Sequence, residues 1–600
     1  MNRPPLGARL ILGTLLGVMI TACGNATVDA PYSVIVEKNV PAEMRDGVVL
    51  RADVYRPDAA GSFPAMLRRT PYSKNAGESP DGFREWASKG YVVVVQDTRG
   101  RYASEGVAVP HDEAEDGYDT VEWVASLPGV NGEVGMWGGS YLATTQLTAA
   151  GLAPPSLVAI APHSSYTRRY DMVFQGGAFY LSDGLGWNLG QAADVRRRRA
   201  GASYEERDGP IGLSDEERTR LRDEWLWHVP LLSLDVMDLD ELAPGYSLML
   251  EHPSYDDFWS TYDVGLRHDR FEVPALHTTG WYDTLLRGTL GNYRGIAERG
   301  ATDEARNGQR IIIGPWTHSS PTLESRSIGG VDFGPEAGMD YAGLLDRWFE
   351  HWLRGGDSSV MDFGPVRLFV MGTNEWRDEP GWPLDRAVPT PLYLHSGGQA
   401  GSDPEDGRLE WREPGQEPAD TYVYDPADPV PTFAMSGYSR APYDPTPLQS
   451  RPDVVVYTSE PVEEAMEVTG YIELVLWVSS SAPDTDFTGK LIDVAPDGTA
   501  RTLTDGILRA RYRNGSTKPE LLTPGQPVEL RIDLLATSNV FLPGHRIRVE
   551  VSSSNFPRFD RNPNTGAEFG VDAELRTAEQ TIYHDSVRPS HLLLPLVPPA

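Results

Sequence analysis

In the first part of the chain, up to about residue 163, short apolar runs alternate with amphipathic segments. The clearest run, residues 91–97, is rich in β-branched side chains and lacks polar alternation, as expected for a strand buried on both faces of a parallel sheet. The same pattern predicts further strands and helices at 48–55, 64–69, 113–126, 134–137, 141–150 and 157–161. This rhythm predicts a doubly wound α/β sheet.

The hydrophobic pattern changes twice in the rest of the chain. Between about 164 and 262, Arg, Glu, Trp and Leu are frequent in helix-like segments, and we predict a helical insertion over the sheet. The α/β rhythm returns over 263–360, where an apolar stripe at 340–353 has the spacing of a core-facing helix. From about 361 to 600, short alternating strands are separated by Pro, Gly, Asp and Ser clusters, which is typical of an all-β sandwich of jelly-roll type.

The N-terminus has the pattern of a bacterial export signal. Two arginines precede an apolar run at 10–20, which is shorter than the roughly 20 residues that a membrane-spanning helix needs. The Ile-Thr-Ala-Cys sequence that ends at Cys23 resembles a lipobox, and Cys23 is the only cysteine. We predict a lipoprotein-type signal at 1–22, lipidation of Cys23, a tether at 23–30 and an exported protein anchored in the cell envelope, periplasmic or at the cell surface. An ordinary signal peptide is the alternative.

Charge and motif content exclude several classes of function. With 86 acidic and 53 basic residues, the formal charge of −33 repels phosphate backbones and disfavours nucleic-acid binding. The sequence has no His-Glu-x-x-His motif, cysteine cluster, phosphate-cradling loop or dinucleotide fingerprint, so we predict no metal and no cofactor. Residues 560–566 resemble a calcium loop only faintly, because the glycine comes one place late and a proline intrudes.

The candidate nucleophile is Ser140, which lies between a predicted strand and a predicted helix. A serine on such a turn exposes its hydroxyl, and the next residue, Tyr141, offers a backbone N–H at the start of the helix to a developing oxyanion. The general nucleophile-elbow pattern has glycine two places after the serine, where this chain has Leu142. Taken alone, the motif also fits a serine that merely caps a helix.

The order of three residue types strengthens the assignment of Ser140. Asp283 and His318 follow later predicted strands, and the chain order Ser, Asp, His is that of α/β-hydrolases. A serine needs a base near pH 7, which histidine supplies, and an ionised aspartate holds the imidazole in the right tautomer. His163 is a rival base, but it precedes the acid in the chain.

These motifs resemble those of the CocE/NonD family of serine hydrolases, which groups cocaine-esterase-type enzymes, α-amino-acid ester hydrolases and glutaryl-cephalosporin acylases and is related to Xaa-Pro dipeptidyl-peptidases. The family's Gly-x-Ser-Tyr-x-Gly appears at 138–143 with Ala143 as its last residue, and Gly-Trp-Tyr-Asp and Gly-Pro-Trp-x-His are intact. The resemblance spans about 31–600. It implies an α/β-hydrolase core with a helical cap and a C-terminal jelly roll, and an oxyanion hole made by the Tyr72 hydroxyl and the Tyr141 N–H.

Departures from the family bear on the substrate. The α-amino-acid ester hydrolases carry a Glu-Asp pair two and three places after the triad aspartate, where this chain has Leu285 and Leu286. A substrate ammonium would lie unpaired there, at a cost of several kcal/mol, so we predict an uncharged acyl group and disfavour an aminopeptidase-like activity. Aromatic residues of the predicted cap are expected to line the acyl pocket, namely Phe179, Tyr180 and Trp187.

The sequence therefore predicts a serine hydrolase that cleaves carboxylic ester or amide bonds of small molecules through an acyl-enzyme. An Xaa-Pro dipeptidyl-peptidase-like or glutaryl-amide acylase activity is the first alternative. A non-catalytic surface module that binds glycan or protein is the second, although a complete triad in the right order speaks against it. We expect no membrane contact except through the lipid anchor.

Overall fold

The computed structural model describes residues 32–75, 80–108, 113–201, 213–236, 239–318, 323–432 and 442–598. The predicted signal, the tether and the lipidation site at Cys23 lie outside these ranges. Among the described residues, no helix is both long enough and apolar enough to cross a bilayer.

The first part of the chain forms alternating strands and helices, as its hydrophobic rhythm predicts. They are β1 (Val34–Glu43), β2 (Val49–Pro57), β3 (Phe63–Thr70), α1 (Pro80–Ser88), β4 (Val92–Asp97), α2 (Ala114–Ala125), β5 (Val130–Gly139), α3 (Tyr141–Ala150) and β6 (Leu157–His163). All of β4 is buried, which agrees with its unbroken apolar run. Strand β3 pairs in parallel with β4 and β5, and β5 pairs in parallel with β6.

The described residues within 164–262, hereafter the cap, are largely helical. They hold α4 (Arg169–Val173), β7 (Phe174–Gln175), β8 (Ala178–Phe179), α5 (Leu181–Arg199), α6 (Asp215–Asp223), α7 (Leu239–Leu242), α8 (Gly245–Leu250) and α9 (Asp257–Ser260). A capping box between Ser214 and Glu217 starts α6. The apolar residues of the cap form a cluster that also includes Phe556 of the C-terminal part, and in this cluster the buried ring of Trp259 packs beside Tyr170 and Phe174.

After the cap, the chain returns to the same sheet. The elements are β9 (Leu276–Tyr282), α10 (Leu286–Arg299), α11 (Asp303–Asn307), β10 (Arg310–Thr317), β11 (Ser327–Ile328), β12 (Val331–Asp332), α12 (Tyr341–Arg354), β13 (Val366–Val370) and β14 (Glu375–Glu379). The order of the ten-stranded sheet is β1-β2-β4-β3-β5-β6-β9-β10-β13-β14. The change of hydrophobic pattern predicts that the all-β part begins at about residue 361. Strands β13 and β14 nevertheless belong to the ten-stranded sheet, so this sheet extends beyond that point.

The C-terminal part is all-β, as predicted. Its strands are β15 (Val388–His395), β16 (Arg408–Glu410), β17 (Asp420–Tyr424), β18 (Val455–Ser459), β19 (Met466–Ser480), β20 (Asp486–Val494), β21 (Ala500–Arg509), β22 (Val528–Phe541), β23 (Arg546–Ser552), β24 (Ala578–Asp585), β25 (Arg588–Pro589) and β26 (His591–Val597). Strands β16 and β18 pair in parallel, and the long strands β19 and β22 pair antiparallel along almost their whole length.

Hydrogen bonds tie the cap to the all-β part. Arg558 Nε donates to the Tyr180 hydroxyl at 2.8 Å, and the backbone N–H of Phe179 donates to Asp560 Oδ1 at 2.7 Å. The same Asp560 oxygen accepts from Arg509 Nη2 at 2.9 Å. Asp560 begins the loop with the faint calcium-loop pattern, and in the structure this carboxylate bridges the cap and an arginine of the all-β part.

Candidate active site

Four parallel strands bring the candidate residues to one edge of the sheet. Strands β5, β6, β9 and β10 are consecutive neighbours in the sheet order. Ser140 directly follows β5, Asp283 directly follows β9 and His318 directly follows β10. Because the carboxyl ends of parallel strands meet at the same edge, three residues far apart in the chain become neighbours.

The turn at Ser140 is sharp and strained. Ser140 has φ 61° and ψ −122°, a backbone conformation that non-glycine residues rarely adopt. The preceding glycines make room for it: a Cβ atom on Gly139 would lie 2.8 Å from His163 Cδ2, and Gly138 has φ 136°. The Ser140 N–H donates to the His163 carbonyl oxygen at 2.9 Å, which fixes the turn against β6.

A continuous hydrogen-bonded chain links the three side chains. His318 Nε2 lies 3.0 Å from Ser140 Oγ, and His318 Nδ1 lies 2.9 Å from Asp283 Oδ1. Asp283 is completely buried. Burial alone would raise the pKa of its carboxyl group, but the charge of His318 and hydrogen bonds from His318, Ser164 and the Leu285 N–H outweigh burial and lower the pKa to about 2. Asp283 is therefore ionised at neutral pH.

Ser164 is a member of this network that the sequence does not reveal. It follows β6 with φ 52°, and its hydroxyl donates to Asp283 Oδ2, which also accepts from Thr279 Oγ1 at 3.1 Å. The only signal in the sequence is its place beside His163, which we weigh as a rival base. His163 Nε2 lies 3.2 Å from Ser164 Oγ. Burial lowers the pKa of His163 to about 4, so this imidazole is neutral at physiological pH.

Tyr72 and Tyr141 lie beside the serine, where the family resemblance places an oxyanion hole. The Tyr72 hydroxyl accepts a hydrogen bond from Trp187 Nε1 at 3.2 Å. Burial raises the pKa of Tyr72, and hydrogen bonds with Trp187 and Ser140 only partly offset this effect. Tyr141 is the first residue of α3, so its N–H has no acceptor within the helix. Its hydroxyl donates to Glu113 Oε1 at 2.6 Å, which holds the ring in place.

A cavity lies above Ser140 between the sheet edge and the cap. Leu285, Phe179, Tyr180 and Trp187, which the sequence analysis expects at the substrate pocket, line this cavity. Leu286 does not line it: this side chain is fully buried in the main hydrophobic core, because α10 begins here and turns it away from the cavity. The cavity is also lined by residues that the sequence does not single out, namely Tyr166, Arg169, Met172, Val173, Gly184, Asn188 and Met249.

Comparison with known proteins identifies the family. A profile described as X-Pro dipeptidyl-peptidase (S15 family) matches residues 46–320, and one described as X-Pro dipeptidyl-peptidase C-terminal non-catalytic domain matches residues 358–593. The chain is 39% identical to cocaine esterase of Rhodococcus sp. (strain MB1 Bresler) over 589 residues, which covers 95% of this chain and 100% of that protein. The chain belongs to the CocE/NonD family of serine hydrolases.

Solved structures agree with membership of the CocE/NonD family. An aminopeptidase from a marine sediment archaeon, Thaumarchaeota archaeon, superposes with a TM-score of 0.80 at 27% identity, covering 97% of this chain and 99% of that chain. An α-amino acid ester hydrolase superposes with a TM-score of 0.79 at 27% identity, covering 97% and 100%. The protein is therefore an enzyme, a serine hydrolase with an α/β-hydrolase-type fold and a C-terminal all-β domain.

Proposed function

We propose that this enzyme hydrolyses carboxylic esters of small molecules through an acyl-enzyme, with Ser140 as nucleophile, His318 as general base and acid, and Asp283 as the residue that orients and stabilises His318. The observation that carries the proposal is the hydrogen-bonded chain from Ser140 Oγ through both ring nitrogens of His318 to Asp283. Nucleophile and base lie within hydrogen-bonding reach, and a buried carboxylate holds the base, which is the arrangement that nucleophilic catalysis by serine requires.

In the acylation step, Ser140 Oγ bonds to the ester carbonyl carbon while its proton moves to His318 Nε2. The carbonyl oxygen becomes an oxyanion, which accepts hydrogen bonds from the Tyr72 hydroxyl and the Tyr141 N–H. When the carbonyl re-forms, the bond to the leaving oxygen breaks and His318 returns the proton to that oxygen. Water then attacks the acyl-enzyme in the same way: His318 takes its proton and afterwards returns it to Ser140 Oγ, so the enzyme is regenerated.

The experiment is labelling of the purified protein with a fluorophosphonate, mapped by mass spectrometry, together with hydrolysis of para-nitrophenyl butyrate. We expect label on Ser140 alone, no label and no turnover in Ser140→Ala, and weak labelling in His318→Ala. Ser165→Ala is the matched control, because Ser165 is a buried serine whose hydroxyl accepts from Asn292 Nδ2 at 3.0 Å outside this hydrogen-bonded chain. A folded Ser140→Ala variant that keeps substantial turnover refutes the proposal.

An Xaa-Pro dipeptidyl-peptidase or amide acylase activity is the alternative, and the descriptions of the two family profiles favour it. Matched ester and amide substrates separate the two activities: an esterase hydrolyses para-nitrophenyl butyrate far faster than para-nitrobutyranilide. Faster cleavage of an Xaa-Pro anilide than of the aryl ester would instead assign the peptidase activity.

We further propose that the chain is exported and lipid-anchored through Cys23. The support is the export signal and the lipobox-like Ile-Thr-Ala-Cys at 20–23. Growth of an expressing bacterium with an alkyne-tagged palmitate should label the wild-type protein in the membrane fraction and leave Cys23→Ala unlabelled. Equal labelling of the two proteins contradicts the proposal.

A further inference from the structure

A single charged residue among those described lines the cavity above Ser140. This residue is Arg169, the first residue of the short cap helix α4. The exposed fraction of the whole residue is 8%, so Arg169 is largely withdrawn from solvent. The other lining residues are apolar or carry only hydroxyl and amide groups.

The guanidinium of Arg169 makes no hydrogen bond and no ion pair with any residue in the part of the chain that the structure describes. Its Nε atom is fully buried without an acceptor. The guanidinium lies over the ring of Tyr262, 5.3 Å from the centroid, and its charge acts on the nearby Tyr141 hydroxyl. The neighbouring Arg168 differs in this respect, because two of its nitrogens donate to Asp171 at 2.8 and 2.7 Å.

An unpaired guanidinium in a largely apolar cavity is costly. Removing a charge from water is unfavourable unless an opposite charge or well-placed acceptors replace the water. A single cation–π contact offsets only a part of this cost. The planar fork of arginine N–H donors matches a carboxylate, which can accept two parallel hydrogen bonds. A substrate carboxylate would therefore complete the environment of Arg169.

We propose that Arg169 binds a carboxylate of the substrate, so that this enzyme acts on esters in which one half carries an anionic group. This inference rests on the proposed esterase function and names its substrate class. If the acyl half is the anionic one, the inference replaces the uncharged acyl group that the two leucines after Asp283 predict, because the charge lies on the cap and not on the loop after β9. The net charge of −33 does not oppose such a contact, since long-range fields are screened beyond about 8 Å at physiological salt.

A second unpaired charge offers the competing possibility of a cationic substrate. Asp183, on the first turn of α5, is 6% exposed, and its Oδ2 has no partner among the described residues. Asp183 is not among the cavity-lining residues, and the charges that act on it are those of Arg558 and His318. The guanidinium of Arg558 partly balances its carboxylate within the protein, whereas no carboxylate among the described residues forms an ion pair with the guanidinium of Arg169. The observations therefore favour the anionic substrate.

The experiment compares kcat/KM for matched esters. The acyl arm uses the mono-para-nitrophenyl ester of adipic acid, its neutral isostere with an isopropyl group in place of the free carboxylate, and a cationic analogue with trimethylammonium there. The leaving-group arm uses para-carboxyphenyl and para-isopropylphenyl butyrate. Each rate is divided by that of hydroxide-catalysed hydrolysis, which removes differences in intrinsic reactivity. The variants are Arg169→Met, Arg169→Lys and the control Arg168→Met, which removes the same charge from the adjacent, paired position.

We expect the wild type to prefer the anionic ester over its isostere in one of the two arms, which also tells which half of the substrate Arg169 holds. Arg169→Met should lower kcat/KM for that anionic ester about 10- to 100-fold more than kcat/KM for the neutral ester, as loss of a charge-assisted hydrogen bond predicts. For the anionic ester, kcat/KM of Arg169→Lys should lie between the values of the wild type and of Arg169→Met. Arg168→Met should change kcat/KM for the anionic and neutral esters by the same factor.

A wild type that does not prefer the anionic ester in either arm overturns the inference, even if Arg169→Met does not fold. Equal losses on the anionic and neutral esters in Arg169→Met also overturn it. The neutral esters keep this result separate from the proposed function. If they are hydrolysed by wild type and not by Ser140→Ala, the esterase assignment stands whatever Arg169 does.

Discussion

The two walls of the cavity differ in how their charged groups are satisfied. On the sheet side, both carboxylate oxygens of Asp283 accept hydrogen bonds, and both ring nitrogens of His318 have partners. On the cap side, the guanidinium of Arg169 is buried with neither a hydrogen bond nor an ion pair to the described residues. The side chains of Asp283 and His318, hereafter the sheet wall together with the other residues that follow strands, are thus hydrogen-bonded before any substrate binds. Arg169, on the cap wall, gains a partner only when a substrate supplies one.

This difference separates chemistry from recognition. Preorganised donors and charges lower the activation barrier because they need not rearrange during the reaction. An unsatisfied charge contributes instead to discrimination, since a substrate without the matching group leaves it unpaired. Changes to the sheet wall should therefore lower kcat for every ester, and changes to the cap wall should alter which ester is preferred.

The largest effect expected on the sheet wall comes from Asp283→Asn. A neutral amide cannot stabilise the protonated His318 and can hold the wrong tautomer, so kcat should fall by about 10⁴-fold with little change in KM. Steady-state kinetics on para-nitrophenyl butyrate measure this loss. A loss below tenfold would contradict the assignment of catalysis to the sheet wall, because the charge of Asp283 would then contribute little to the reaction rate.

Removal of an oxyanion donor should have the next largest effect. Tyr72→Phe deletes the hydroxyl beside Ser140 and should lower kcat by about 10²- to 10³-fold, since such a donor acts only on the transition state. Tyr166→Phe is the control, because Tyr166 also lines the cavity but lies on the cap side. Similar losses in the two variants would show that the hydroxyl of Tyr72 has no special role.

A smaller loss should follow from Ser164→Ala. This variant removes one hydrogen bond to Asp283 Oδ2 and leaves those from Thr279 and the Leu285 N–H in place. We expect kcat to fall by about tenfold, the value of one hydrogen bond to a charged group, with KM unchanged. Alanine at the adjacent buried serine, in Ser165→Ala, should leave kcat within about twofold. A rise in KM with constant kcat would assign Ser164 to substrate binding instead.

The smallest effect concerns stability and pH. Burial lowers the pKa of His163 from 6.5 to about 4. Above pH 6.5 the histidine is neutral in both states, and as the pH falls towards 4 only the unfolded chain gains the proton, so stability is lost. Between pH 7.5 and pH 5 this loss amounts to about 2 kcal/mol.

Calorimetry of wild type and His163→Gln at pH 7.5 and pH 5 tests this expectation. The variant keeps a neutral polar group beside Ser164, so its unfolding midpoint should fall less on acidification than that of the wild type. Equal shifts in the two proteins would mean that His163 titrates normally in the folded state.

Much of the site follows from the sequence because each residue that performs chemistry directly follows a strand. The apolar run at β4 and the order of Ser140, Asp283 and His318 predict parallel strands whose ends converge. The structure agrees with that convergence. The family resemblance adds Tyr72, which no pattern of hydrophobicity or spacing would have selected.

The missed features depend on contacts between distant parts of the chain. Ser164 forms a hydrogen bond with Asp283, which lies 119 residues later in the chain. The orientation of Ser164 depends on a positive φ that the sequence does not predict. The expectation that Leu286 lies at the pocket with Leu285 is wrong, because helix α10 begins at Leu286 and directs its side chain into the core. Arg169 gives no local signal, since an arginine at the start of a short helix is ordinarily a solvated one.

The hydrogen bonds between the cap and the all-β domain determine how a new specificity can be built on this enzyme. A cap transplanted alone from a relative would leave Arg558 and Asp560 opposite a foreign surface. Moving the cap together with the all-β domain carries both halves of each contact. The cap and the all-β domain, which are distant in the sequence, should therefore be exchanged together. The junctions of such chimaeras should lie in strands of the ten-stranded sheet.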